Sequence, residues 1–385
     1  MESVNQIYQV VNSIAKEAFG DSVATVKDTA SFVALGNTVL SSTANKDLYF
    51  GILVDRIGMT IVSNRVKKPR KSRVTRNEME WGIILQKISF KVKEAVSNPE
   101  WVNNTQASPY DIESQTEIVQ KLFTVMSTYD YADSFPITQL NMSFTNEATH
   151  AAFMAGLYAN MENDINTAED NLVNLTVNTC MAGALIKGTK AQVRHLVTEY
   201  NAAHETTIPA GTLDNADLFK YVTSEIATTV KLMGERTALF NADGLVRHTP
   251  REYMEIEMLA PFASKFDVYL QADTFHNEIT KLPGYSEVNY WQAPSDKTKI
   301  PSFEDASTID IQNINLATAQ NATGTIKQSN IICFIHDIEA CAAIINKPER
   351  GSLVNDYAKR VNVWAHANKG FMVDTSENAV VFMLD

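Results

Sequence analysis

Cysteine is scarce in this sequence: Cys180, Cys333 and Cys341 are the three in a chain of 385 residues. An odd, scattered set cannot form a disulfide framework. No charged stretch followed by an apolar one opens the chain, so a signal peptide is not expected and synthesis in a cytosol is. Long apolar runs are missing as well. The run "IICFI" at residues 331–335 stops at five, far short of the roughly 18 that a bilayer span requires, which excludes membrane insertion. Fifteen glycines and eleven prolines are too few for a collagen-like or low-complexity chain, and no internal period marks a solenoid. With 45% hydrophobic residues, what is left is a globular protein large enough for two or three domains.

Positive charge is also in short supply, and what there is lies concentrated. The net charge is −12, yet residues 65–76, "RVKKPRKSRVTR", hold seven basic side chains and no acid. They are Arg65, Lys67, Lys68, Arg70, Lys71, Arg73 and Arg76, and the rest of the chain carries −19 without them. Three readings compete for this run. It can bind phosphate, as in a DNA-binding protein, but an acidic body repels nucleic acid and no aromatic side chains interleave the cations. It can be a solvated loop, at a cost in self-repulsion. The favoured reading is a contact in which the run of one copy meets the acidic surface of the next, a heterologous interface that closes into rings or extends into lattices.

Periodicity predicts the elements. Val4, Ile7, Val11 and Ile14 make one stripe of an amino-terminal helix. Residues 21–45, rich in Ser, Thr and Ala, read as an extended arm. Residues 59–62, "MTIV", and the alternating "IILQKISFKVK" at 83–93 frame a long hairpin tipped by the basic run. In the second strand Ile84, Ile88, Phe90 and Val92 oppose Lys87, Ser89, Lys91 and Lys93. A helix over 147–161 precedes a longer one over 163–187, which ends at Gly188 and would be about 36 Å long. Another starts at Asp214 and stops at Gly234. Beyond it, "YMEIEML" (253–259) predicts a strand with one wet face, and "IICFI" a strand covered on both. Asp337 would cap a helix "IEACAAII" (338–345), and "FMVD" and "VVFML" would close the chain as a hairpin. This order gives an α+β protein.

Catalytic signatures are absent: there is no GxSxG, no GxxxxGK[ST], no GxGxxG after a strand and no HExxH. "HETT" at His204 and "HNEI" at His276 lack a second histidine and read as ordinary loop residues. Cys333, His336, Glu339 and Cys341 have zinc-ligand chemistry, but a buried strand and an apolar helix face account for both cysteines, so no metal is expected. No cofactor is expected either. The sequons at Asn103, Asn141, Asn174 and Asn321 are incidental in a cytosolic chain.

"LVDRIG" at residues 53–58, followed by apolar strand residues and a basic tip, together with "ENAVVFML" at 377–384 and the order of elements between them, resembles the major capsid proteins of small short-tailed phages of the phi-twenty-nine type. Those proteins have the shell fold named after the Hong Kong ninety-seven phage. The resemblance implies an amino-terminal arm at 1–48 and an extended loop at 49–93. It implies a peripheral domain at 94–206 and 356–385 with a spine helix at 163–187, and an axial domain at 207–355. It further implies a non-enzymatic major head protein of the virion, assembled as pentamers and hexamers of an icosahedral shell around double-stranded DNA. Such a protein binds that DNA without sequence specificity and has scaffolding, portal and decoration proteins as further partners.

Overall fold

The computed structural model describes residues 2–21, 23, 25–56, 73–76, 85–91, 117–123, 126–138, 147–265, 284–293, 298, 300–311, 325–345 and 349–385. Helix α1 (Glu2–Phe19) buries Tyr8, Val11, Ile14 and Ala15 along the expected stripe. Residues 21–45 are not an extended arm. Asp28 and Ser31 form a reciprocal capping box that starts α2 (Thr29–Leu40), and α3 (Thr43–Arg56) follows within a few residues. Phe32, Leu35, Gly36 and Val39 fall at helical spacing and are buried. The Ser and Thr between them dilute the apolar signal without breaking its period. Residues 49–56 therefore belong to a helix and not to the predicted hairpin, while 59–62 lie outside the described residues.

Strands β1 (Thr75–Arg76), β2 (Leu85–Phe90), β3 (Ile118–Phe123) and β4 (Met126–Pro136) lead into α4 (Glu147–Lys187). This helix runs unbroken for 41 residues, about 60 Å at 1.5 Å per residue, where a break near 162 was expected. Asn163 has the residue type of a cap, but Met154, Met161, Ile165 and Leu172 carry one buried stripe across it. The helix stops at Gly188, whose N–H reaches the Ala184 carbonyl at 2.7 Å. A Cβ there would lie 2.1 Å from that oxygen, so only glycine fits.

Strand β5 (Val193–His195), α5 (Leu196–His204) and α6 (Ala216–Met233) follow. The α6 cap is Asn215, one residue past the expected Asp214, and its side chain accepts the Leu218 N–H at 3.0 Å. The remaining elements are β6 (Met254–Leu259), β7 (Ser286–Val288), α7 (Phe303–Ala306), β8 (Ile309–Ile311), β9 (Ile326–Gln328), β10 (Ile331–Asp337), β11 (Cys341–Ile345), β12 (Glu349–Asn355), β13 (Arg360–Val373) and β14 (Ala379–Met383).

Among the described residues these strands make two five-stranded sheets and two small pairs, β2–β3 and β8–β9. In the first sheet β4 lies along one edge of β13, while β11 and β12 lie end to end along the other and β1 adds parallel to β11. The second runs β5–β14–β10–β6–β7. Helix α4 joins the two cores. Its first half packs with α1, α2, Val361 and Val363, and its second half with β6, β10 and β14. Lys369 ties it to the first sheet, with its ammonium 2.9 Å from the Tyr131 hydroxyl and 3.7 Å from Glu169. Burial holds that lysine below its usual pKa and lifts the Glu169 carboxyl above its own.

Three strand readings change. Residues 341–345 are β11 and not helix, because "CAAII" pairs with β13 and is buried throughout. Asp337 caps a turn there instead, its Oδ1 accepting the Glu339 N–H at 2.9 Å. In β6 both Glu255 and Glu257 are buried, since alternation within one strand does not register what packs over its second face. Finally, β13 and β14 are no hairpin. The first belongs to one sheet and the second to the other, so the expected boundary at 355 and 356 does not follow the sheets.

Candidate assembly surface

The β2–β3 ribbon is amphipathic in the sense opposite to the usual one. Its strands pair from Leu85 with Phe123 to Phe90 with Ile118. Side chains alternate between faces: Lys87, Ser89 and Lys121 turn toward the body, whereas Ile88, Phe90, Ile118 and Leu122 are 54, 61, 62 and 55% exposed. Sequence pattern alone would bury the apolar set and wet the lysines. Phe123, 2% exposed, anchors the base of the ribbon against Ala342 and Met372.

The inward lysines explain the inversion. Lys87 and Lys121 stand directly opposite one another, a like-charge pair that would drive the strands apart unaided. Asp374 separates them, with Oδ2 3.0 Å from the Lys87 ammonium and Oδ1 accepting from Lys121 at 2.8 Å. Lys87 also donates to Glu377 at 2.7 Å and to the Glu339 carbonyl at 3.3 Å, and Lys121 to Asp243 at 3.0 Å. Arg247 lies 3.4 Å from Glu377 and donates to Ser89 at 3.2 Å. Asp374 itself occupies the point where the chain leaves the first sheet for the second. Its N–H bonds the Ala340 carbonyl at 2.7 Å beside the return crossing, where the Asp337 N–H bonds the Asn378 carbonyl at 2.9 Å. The ribbon is thus clamped to the joint between the sheets.

Electrostatics follow the geometry. Burial alone would raise the Asp374 carboxyl, but Lys87, Lys121 and the Ser376 hydroxyl outweigh it and hold the group well below the ordinary 3.8. Burial pushes Glu377 above its ordinary 4.5 despite Lys87 and Arg247. Burial likewise opposes the Lys87 ammonium, yet Asp374 and Glu377 carry it above 10.5.

The basic run is described only at its end. Arg73 points into its own chain, donating to the Met254 carbonyl at 3.3 Å and to the Glu252 carbonyl, with Glu255 at 3.8 Å. Arg76 sits in β1, and Val74 before it is fully buried. Arg65, Lys67, Lys68, Arg70 and Lys71 lie outside the described residues. Cys341 Sγ is 4.0 Å from His336 Nδ1, and that nitrogen donates to the Asp337 carbonyl at 2.9 Å. Among the described residues no cluster of His, Cys, Asp and Glu is fit to hold a metal ion, and no helix is long and apolar enough to cross a membrane. His204 stacks on Tyr200 at 4.2 Å, while His276 lies outside the described residues.

A family model described as Phi29-like phage major capsid protein matches residues 11–383. The chain belongs to that family. It is a structural subunit of a phage capsid shell, and its place is the virion. Two solved structures share the fold. A chain from the structure of head fiber and inner core protein gp22 of native bacteriophage P68 aligns with a TM-score of 0.57 at 11% identity, covering 85% of this chain and 87% of that one. A chain from the capsid structure of Staphylococcus phage Andhra aligns with a TM-score of 0.51 at 12% identity, covering 86% and 88%. No curated protein matches the sequence. These comparisons give no support to the DNA-binding reading of residues 65–76.

In this capsid protein the clamp residues Lys87, Lys121, Asp374 and Glu377 escaped sequence reading. The available signal was weak: "IVQKLF" at 118–123 and "ILQKISF" at 84–90 share a Gln-Lys pair set among apolar residues. The clamp is sensitive to acid. A carboxyl depressed in the fold stabilises it above the unfolded value of 3.8, and that contribution disappears as the pH falls below it. Glu377 acts in the opposite sense, because a raised carboxyl loses nothing on protonation. We expect the melting temperature of the wild type to exceed that of Asp374→Asn at neutral pH, with the gap closing below about pH 4 in a thermal series.

Proposed function

We propose that this capsid protein assembles into the icosahedral head of a tailed bacteriophage, as pentamers and hexamers enclosing double-stranded DNA without sequence-specific contacts. The observation that carries this reading is the outward apolar face of the β2–β3 ribbon, which leaves four large hydrophobic side chains in water on each copy. A contiguous patch of this kind marks a protein contact. The clamp beneath it presents that patch to a neighbour. The ribbon then serves as the extended loop, with its first strand inside the expected 49–93 and its second, at 118–123, beyond it. Helix α4 with the first sheet serves as the peripheral domain, and α5, α6 and the second sheet as the axial domain.

The subunit has no catalytic activity of its own in this reading. It is made in the host bacterial cytoplasm, and scaffolding, portal and decoration proteins are its further partners. An acidic body suits a container for DNA, since a wall that gripped phosphate would hinder packing. The cations from Arg65 to Lys71 are left to meet a neighbouring copy. Electron microscopy of the purified chain over rising concentration tests the reading. Uniform hollow particles are expected, and a solitary subunit under every assembly condition, including added scaffold, would refute it.

A further inference from the structure

The loop that supplies Asp243 to the clamp carries the one Asp–Gly step in the sequence, Asp243–Gly244. Glycine has no Cβ, so its amide nitrogen approaches the side-chain carbonyl carbon of a preceding aspartate with less hindrance than that of any other residue. The fold holds this step at the tip of a closed loop. Thr237 and Arg247 bond each other at its base, through N–H to carbonyl contacts of 2.9 and 3.0 Å. Within it the buried Asn241 side chain brackets Leu245, its Oδ1 accepting the Leu245 N–H at 2.8 Å and its Nδ2 donating to the Leu245 carbonyl at 2.6 Å. The Ala242 N–H is fixed to the Thr375 carbonyl at 3.0 Å, in the same turn as Asp374. Between these pins Gly244 is exposed at a φ of 64°, and among the described residues nothing lies within 4 Å of where a Cβ would stand.

The ribbon restrains the step. Asp243 Oδ2 accepts a hydrogen bond from the Lys121 ammonium at 3.0 Å, and an ion-paired carboxylate is a group that an amide nitrogen does not attack. Lys121 belongs to β3, so the pair separates whenever the ribbon lifts from the body. Its two side chains are 21 and 18% exposed, which leaves the contact within reach of water and of local opening.

We propose that Asp243 is a site of spontaneous backbone isomerisation whose rate is set by the docking of the ribbon. Once Lys121 has withdrawn, the carboxyl takes a proton from water and the Gly244 nitrogen attacks its Cγ. The N–Cγ bond forms, the nitrogen gives up its proton, and the hydroxyl departs as water. Hydrolysis of the resulting five-membered imide at the carbonyl next to Cα adds one water back and leaves the main chain running through Cγ, an isoaspartate of unchanged composition. The backbone has then gained a methylene between two pinned ends and the carboxylate has moved to Cα, so the Lys121 contact is lost. Each event removes one anchor of the ribbon.

Incubation of the full chain at neutral pH in water enriched in heavy oxygen tests this, because opening of the imide leaves one heavy oxygen at residue 243. Fragmentation of the peptide 237–247 locates it. Uptake is expected in the wild type, at an unaltered rate in Lys121→Arg, and about fivefold faster in Lys121→Met, the restraint that a partly exposed ion pair can supply. Asp243→Glu, which would need a six-membered ring, should take up none. In the wild type alone, uptake should also rise in step with amide exchange of residues 118–123 as urea is added below the unfolding transition. A folded wild type that takes up no heavy oxygen at 243 overturns the proposal, and so does uptake that ignores both the loss of Lys121 and the opening of the ribbon.

Discussion

Asp374→Ala releases the β2–β3 ribbon from the body and destabilises the subunit by about 3–5 kcal/mol, the usual cost of removing one partner from a buried ion pair. The size follows from what remains. Asp374 is 1% exposed and lies between two opposed lysines, so its loss leaves Lys87 and Lys121 facing each other with Glu377 and Asp243 at their far sides. The turn at 374–378 loses a further acceptor, because the same Oδ1 takes the Ser376 N–H at 3.0 Å and its hydroxyl at 2.7 Å. Urea unfolding measures the destabilisation, and amide exchange over 85–90 and 118–123 measures the release. A variant that keeps wild-type stability and ribbon protection would show that the clamp is incidental. Adding Lys87→Met and Lys121→Met to Asp374→Ala should restore much of the loss, since uncharged residues need no counter-ion.

Ile88→Asp with Phe90→Asp should separate folding from assembly. Both residues are more than half exposed in the subunit, so their replacement should change its stability by no more than about 0.5 kcal/mol each. In a shell the same positions would be covered. Each copy would then lose about 1.5–3 kcal/mol of apolar burial per side chain and carry two carboxylates into a contact that desolvates them. Because every copy repeats the defect, particle formation should be abolished while the monomer keeps its circular dichroism and melting temperature. Normal particles from this variant would remove the ribbon face from the assembly surface. Loss of the fold would mean that the face is covered within the chain.

The legibility of the chain was uneven for reasons visible in particular elements. Strand β10 was readable because every position from Ile331 to Asp337 is buried, and an unbroken apolar run needs no knowledge of its surroundings. Helix α6 was readable because Asn215 and Gly234 bracket one apolar stripe. By contrast, "IEACAAII" has good helix formers, and pairing with β13 overrode that local preference. The alternation at 85–90 was also visible, but it identifies two faces without saying which is inward. The answer came from Asp374 and Glu377, nearly 290 residues away.

By itself the sequence determined the mixed helix-and-sheet class, the amino-terminal helix, the central buried strand, the acidic body with its concentrated cations, and the likeness to a capsid family. The first four are properties of neighbouring residues or of the total, so periodicity and composition carry them, while the likeness rests on matching stretches such as residues 53–58 and 377–384. Only the tertiary structure decided that α4 is one helix, that β13 and β14 belong to different sheets, and that the ribbon shows its apolar face to solvent. Those depend on which distant groups meet. A carboxylate brought between two lysines can reverse the face a strand buries, and no local pattern records that encounter.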